Sequence, residues 1–210
     1  MIHLFKRKQF TQRMCQAFPK EYRDDVNAVC KRIILHSVSW NGSLFSSENS
    51  AWLLPSGETV DFPYRIYISD MLIPSLTPFT PREELIYHCI FTRSHNGYVR
   101  EKHVRAILDT DNPAWTMPYV IKLCDEYIVE ILQTVYERLQ ERDCRPYREL
   151  CALNFDTFRR GHSRMTAYWG EYYRWDCYRD GRYRFREYVG RKLYAECFGY
   201  RKTGQKYITV

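Results

Sequence analysis

Apolar residues in this chain recur at steps of three and four over most of its length, and at steps of two in only one place. Ile121, Cys124, Ile128, Ile131, Leu132, Val135 and Leu139 form one broad stripe at helical spacing. Trp52, Leu54, Val60 and Phe62 instead alternate with polar positions on either side of Pro55-Ser56-Gly57, the pattern of a hairpin around a turn. The spacing therefore predicts a mainly α fold, a helical bundle or short helical-repeat array, with one small β-hairpin. With 210 residues, of which 45% are hydrophobic and 27% charged, the chain can fill a core without a disulfide or metal staple. It reads as one domain in three segments: N-terminal helices plus the hairpin over 1–78, a helical-repeat-like middle over 79–143, and C-terminal helices over 144–210.

Start and stop signals place the helices. Pro19, with Glu21, Asp24 and Asp25 behind it, opens a helix over 19–38. Thr80-Pro81-Arg82-Glu83 is a capping box with proline at the first helical position. Asn96-Gly97 separates that helix from the next, and Asn112-Pro113 ends the pair. A long helix is expected from Pro118 to about Asp143. Another begins at Pro146, with a seam through Cys151, Phe155, Phe158, His162, Met165, Trp169 and Tyr172 that Gly161 and Gly170 weaken. The short link at Cys144-Arg145 predicts that these two helices are antiparallel neighbours. A last helix covers about 184–198 and stops at Gly199.

No stretch approaches the roughly 18 uncharged apolar residues of a spanning helix, so no membrane partner is expected. The first eight residues, Met1-Ile2-His3-Leu4-Phe5-Lys6-Arg7-Lys8, lack the apolar run of a secretory signal, and the chain reads as cytoplasmic. Its eight cysteines include no Cys-x-x-Cys pair and mostly fall inside helical patterns, where a free thiol behaves as a small hydrophobe. No metal or cofactor is expected.

His95-Asn96-Gly97-Tyr98-Val99-Arg100-Glu101, followed by Arg105-Ala106-Ile107-Leu108, resembles the second helix of a HEAT-type repeat. The resemblance covers residues 80–140 and departs at Lys102 and His103, where the family usually has small residues. It implies a protein-binding scaffold and no catalyst. The same pair can be tried as a helix-turn-helix, with Arg100, Lys102 and Arg105 facing DNA. Arg93 and His103 would then occupy positions that this motif keeps small or apolar.

Charge is distributed unevenly. Residues 159–206 carry thirteen basic and five acidic side chains, a local balance of +8, while the rest of the chain is −1. Aromatics are interleaved with these arginines. Guanidinium groups that pair with phosphates, beside rings that stack on bases, are what a single-stranded nucleic-acid surface needs. The same residue types anchor protein interfaces. The candidate binding residues are Arg174, Trp175, Tyr178, Arg179, Arg182, Tyr183 and Arg184, which lie off the seam, with Arg160 and Arg164, which point away from it. Glu126, Glu130, Glu137 and Glu141 form an acidic stripe opposite the apolar face of the long helix, so an acidic face and a basic face are expected.

Catalytic patterns are scarce. The six histidines include no His-Glu-x-x-His, and the chain has no Gly-x-Gly-x-x-Gly, phosphate-binding loop or Gly-x-Ser-x-Gly elbow. The remaining enzyme reading is Arg159-Arg160-Gly161-His162, binding a phosphate while His162 protonates a leaving group. Cys151 lies about 16 Å from His162 along a straight helix, too far for a nucleophile–base pair. No catalytic residue is assigned. The reading is a non-catalytic interaction protein that binds another protein through its basic, aromatic C-terminal region. The alternative is a binder of RNA or single-stranded DNA through the same region. A second copy of the chain is a further candidate partner.

Overall fold

The computed structural model describes residues 2–35, 42–73, 75, 77–111 and 113–200. They form two compact units, one running to Thr116 and the other starting at Met117. Both are helical apart from one hairpin. The division falls inside the segment 79–143.

The first unit contains α1 (Ile2–Ala17), α2 (Arg23–Arg32), β1 (Asn49–Leu53), β2 (Thr59–Pro63), α3 (Pro81–Phe91) and α4 (Gly97–Leu108). α1 packs on α2 and β2, α2 on α3, and α3 on α4. The strands are antiparallel, with Trp52 opposite Val60 and Leu53 opposite Thr59. Gly57 supplies the left-handed turn position at φ +85°. Trp52, Leu54, Val60 and Phe62 all face the core, as their alternation requires. The capping box is formed in both directions: Thr80 Oγ1 accepts from Glu83 N at 3.2 Å, and Thr80 N donates to Glu83 Oε2 at 2.8 Å. A cap of this kind contributes about 1 kcal/mol.

Two parts of the N-terminal reading are corrected. Pro19 opens only the single 3-10 turn Lys20–Tyr22, and α2 stops at Arg32 because Ile33 is extended and bridges to Leu72. Residues 36–38 of the expected helix lie outside the described residues. α1, which carries no clear apolar stripe, is anchored by polar contacts as well as by Phe10, Met14 and Ala17. Arg7 donates to Cys30 O at 2.7 Å, Lys31 O at 3.1 Å and Ile33 O at 3.2 Å, satisfying carbonyls at the end of α2.

The second unit contains α5 (Met117–Leu123), α6 (Val129–Gln140), α7 (Arg145–Leu153), α8 (Phe155–Tyr168) and α9 (Val189–Lys192). π-type turns at Trp169–Tyr173 and Leu193–Cys197 extend α8 and α9. The long helix expected from Pro118 to Asp143 is broken between α5 and α6. The break coincides with buried charge. Lys122, Asp125 and Glu126 are all in the interior, and Lys122 Nζ lies 2.5 Å from Asp125 Oδ2. Glu126 therefore leaves the expected acidic stripe, and only Glu130, Glu137 and Glu141 are exposed.

The helix expected from Pro146 breaks at Asn154, not at a glycine. Asn154 has φ −116° and ψ 39°, and its side chain donates to Leu150 O at 3.0 Å. Gly161 sits inside α8, where a Cβ would lie 2.8 Å from Tyr194 Oη. The seam is not buried throughout: Cys151, Phe158 and Met165 are in the core, whereas Phe155 is 43% exposed and Tyr172 52%. The antiparallel neighbour of α6 is also different from that expected. α6 packs mainly on α9 and the turn Leu193–Cys197, while α7 packs on α5 and α8. The last helix is short, and it ends before Gly199, which takes the left-handed conformation at φ +71°.

Gly190 provides the tightest approach in this unit. A Cβ there would lie 2.7 Å from Tyr188 Cε1 and 3.0 Å from Met165 Cγ, and both neighbours are fully buried. Gly190→Ala is expected to destabilise the unit by about 1–3 kcal/mol through overpacking, read as a lower urea midpoint by circular dichroism.

Candidate interaction surface

Between α8 and α9 the chain makes the turn Trp169–Tyr173 and two 3-10 turns, Asp176–Tyr178 and Gly181–Tyr183, which contact each other. A segment without long helices needs other partners for its backbone, and aromatic side chains supply them. Trp169 Nε1 donates to Tyr183 O at 2.8 Å, and its ring packs on Phe185 at 4.8 Å. Tyr173 stacks on Tyr183 at 5.1 Å and leans on the buried Tyr188 at 5.4 Å. The Tyr173 hydroxyl donates to Tyr127 O and accepts from Val129 N at 3.3 Å, tying the segment to the start of α6. Burial, above all, pushes the phenol of Tyr173 up to about 12.

This inner layer leaves an outer one. Trp175 is 71% exposed and Tyr178 82%. Arg174, Arg179 and Arg184 are exposed, and among the described residues their side chains make no hydrogen bond and no ion pair within 4 Å, although the charge of Arg184 is felt by Glu187. Arg182 is exposed but engaged: it donates from Nε to Asp180 Oδ2 at 2.8 Å, with Nη2 at 2.6 Å. Hydrogen bonds from Arg182 hold the Asp180 carboxyl below its ordinary range. The sequence singled out Trp175, Tyr178 and these four arginines, and all six reach solvent on one short segment.

The other three candidates differ. Tyr183 belongs to the inner layer. Arg164 turns inward, with Nη1 3.7 Å from the buried Asp125 Oδ2. Arg160 is exposed on α8 and donates to Thr157 Oγ1 at 3.2 Å. A further aromatic group escaped the sequence reading. The rings of Tyr127, Tyr168 and Tyr172 lie 5.2 to 6.1 Å apart, and Tyr127 and Tyr172 are exposed. No local pattern links Tyr127 to the other two.

His162 is half-buried and packed between rings. It stacks on Tyr200 at 3.9 Å and meets the edge of Tyr194 at 5.1 Å. That contact occupies one face of the imidazole. Deeper in the same unit, burial raises the Asp125 carboxyl against the pull of Lys122 and Arg164, and Asp125 Oδ1 has no hydrogen-bond partner.

In the first unit the helix-turn-helix reading fails on Arg100. It is buried and donates to Ser94 O at 2.8 Å and His95 O at 3.0 Å, so it fastens the turn and cannot face DNA. Lys102 is bound to Asp70 at 2.9 Å. Of the three histidines around this turn, two meet. His88 Nδ1 and His103 Nδ1 are 2.8 Å apart, and His103 Nε2 is 3.4 Å from Asp70 Oδ2. One arrangement of protons satisfies both contacts: His103 donates from Nε2 to Asp70, and His88 donates from Nδ1 to His103. Burial, reinforced by His88, lowers His103 to about 4. His103 is fully buried beside Tyr87 and Phe91. Among the described residues, no group of three histidine, cysteine or carboxylate side chains could hold a metal ion, and no helix is long and apolar enough to cross a membrane.

The chain matches no protein-family model, no curated protein and no solved structure.

A depressed histidine takes up its proton more readily unfolded than folded. The His103 contribution is therefore fully present above the unfolded value of 6.5 and is lost as pH falls from there towards about 4. The loss is expected to be on the order of 3 kcal/mol. His103→Phe should flatten the stability profile across that window, measured by urea unfolding at a series of pH values.

Proposed function

We propose that this is a non-catalytic cytoplasmic binding protein that engages an acidic partner protein through the segment from Arg174 to Arg184. The observation that carries this reading is the outer layer: two large rings exposed beside three arginines with no hydrogen bond or ion pair among the described residues. Trp, Tyr and Arg are the residues that most often dominate the energetics of protein interfaces. The inner layer of packed rings fixes the backbone that carries them, so the ordering cost of docking is confined to the side chains themselves. The resemblance of residues 80–140 to HEAT-type repeats supports the same class of function.

A second reading rests on a separate feature, the balance of +8 over residues 159–206. Arginine-dominated charge with open ring faces also suits single-stranded nucleic acid, where each stacked base contributes about 1–3 kcal/mol. The two readings differ in what removes binding. A protein interface depends on its anchors, whereas a nucleic-acid surface responds steeply to salt and net charge.

Quantitative affinity purification from the native cell should recover a specific acidic protein with the unaltered chain. The Trp175→Ala/Tyr178→Ala variant is expected to lose it at least about tenfold, the cost of 1.4 kcal/mol or more. Fluorescence anisotropy with labelled single-stranded RNA and DNA supplies the opposing result. Sub-micromolar binding that weakens steeply from about 50 to 200 mM salt, and that disappears in Arg179→Glu/Arg182→Glu/Arg184→Glu, would replace the protein reading with the nucleic-acid one.

A further inference from the structure

Cys144 and Cys197 are fifty-three positions apart in the sequence, and no spacing rule connects them. The fold of the second unit brings them together. Cys144 is the residue before α7, and Cys197 closes the π-type turn that follows α9. Arg148 holds both ends: its backbone N–H donates to Cys144 O at 3.1 Å, and its Nε donates to Cys197 O at 3.3 Å. Its Nη2 also donates to Glu196 O at 2.6 Å. Tyr147 and Phe198, each next to one of these contacts, stack at 6.1 Å. The two thiols lie close enough to perturb each other's ionisation. Both are free thiols, Cys144 half-buried and Cys197 buried.

We infer that Cys144 and Cys197 form a reversible disulfide on exposure to a peroxide, with Cys144 as the attacking sulfur and Cys197 as the resolving one. The charged and polar groups facing the pair fit these roles. Arg148 favours a thiolate at Cys144, while Asp143 next to it opposes one. Cys144 in its thiol form donates to Leu139 O at 3.3 Å, and Gln140 faces Cys197. The neighbouring Cys197 thiol, above all, lowers Cys144 in spite of its burial, whereas Cys144 and burial push Cys197 up, and Cys144 is the more exposed of the two.

The chemistry closes on itself. The Cys144 sulfur attacks one peroxide oxygen, the O–O bond breaks, and the departing hydroxide takes a proton to become water. This leaves a sulfenic acid at Cys144. The Cys197 sulfur then attacks the Cys144 sulfur, the S–O bond breaks, and the leaving hydroxide carries off the Cys197 proton as a second water. Two thiols are oxidised by two electrons, and one peroxide is reduced to two waters. The resulting bond ties the start of α7 to the turn after α9.

A thiolate favoured at Cys144 makes this sulfur more reactive near neutral pH than an unperturbed thiol. The lower nucleophilicity of the more acidic thiolate takes back part of that advantage, and Cys144 is expected to react faster than Cys177. The reduced full chain is titrated with one equivalent of hydrogen peroxide and mapped by peptide mass spectrometry, which requires no variant to fold. The expected main product is an intramolecular peptide joining Cys144 to Cys197, two hydrogens lighter and restored by dithiothreitol. In Cys197→Ser, a sulfenic acid at Cys144 is expected to accumulate and to be captured by dimedone. The half-buried Cys15 and Cys177 are the internal comparison. Cys144 and Cys197 remaining as thiols while Cys15 or Cys177 is oxidised would overturn the inference. So would cross-links only between separate chains, or a Cys144 that reacts no faster than Cys177.

Discussion

Charge cannot be left unpaired in a protein interior without a large penalty, and each unit of this chain is arranged around the charge it buries. In the second unit, Lys122, Asp125 and Glu126 lie in the interior at the point where one long helix would otherwise continue. Lys122 answers Asp125 at one end, and Arg164 approaches it from α8. With the helix broken there, α5 and α6 take different partners, α7 for the first and α9 for the second. In the first unit the buried charge of Arg100 is accompanied by the neutral imidazole of His103. Arg100 spends its donors on the carbonyls of the α3–α4 turn, and His103 passes its hydrogen bonds between His88 and Asp70.

The residues that define element ends were legible wherever the signal was local. Thr80 and Glu83 meet three positions apart, Asn96 caps its own helix, and Gly57 and Gly199 sit at positive φ. The hairpin followed from alternation alone. What the sequence did not reveal depended on distant contacts. Nothing near Asn154 marks it as the break in place of Gly161, because Gly161 is fixed by Tyr194, thirty-three positions away. Glu126 reads as solvent-facing on an unbroken helix and becomes buried only because the helix breaks. The bounds of α1 are hidden for the same reason, since its anchor, Arg7, acts on carbonyls at the end of another helix.

The candidate surface shows both sides of this limit. Composition located it, because arginine and aromatic residues are concentrated in one part of the chain. Composition could not divide the rings by role. Trp169, Tyr173, Tyr183, Phe185 and Tyr188 pack on one another, whereas Trp175 and Tyr178, of the same residue types and within a few positions, project into solvent. Arg164 and Arg174 divide in the same way, one drawn in by Asp125 and the other outward.

That division has a consequence for substitution. Helical interfaces usually require one set of side chains to serve both stability and recognition, so a change of partner risks the fold. Here the inner rings carry the packing, and the outer residues project into solvent without contributing to the core. Substitutions at Arg174, Trp175, Tyr178, Arg179 and Arg184 therefore cost the fold little, and the surface chemistry of this segment can change while its framework stays fixed.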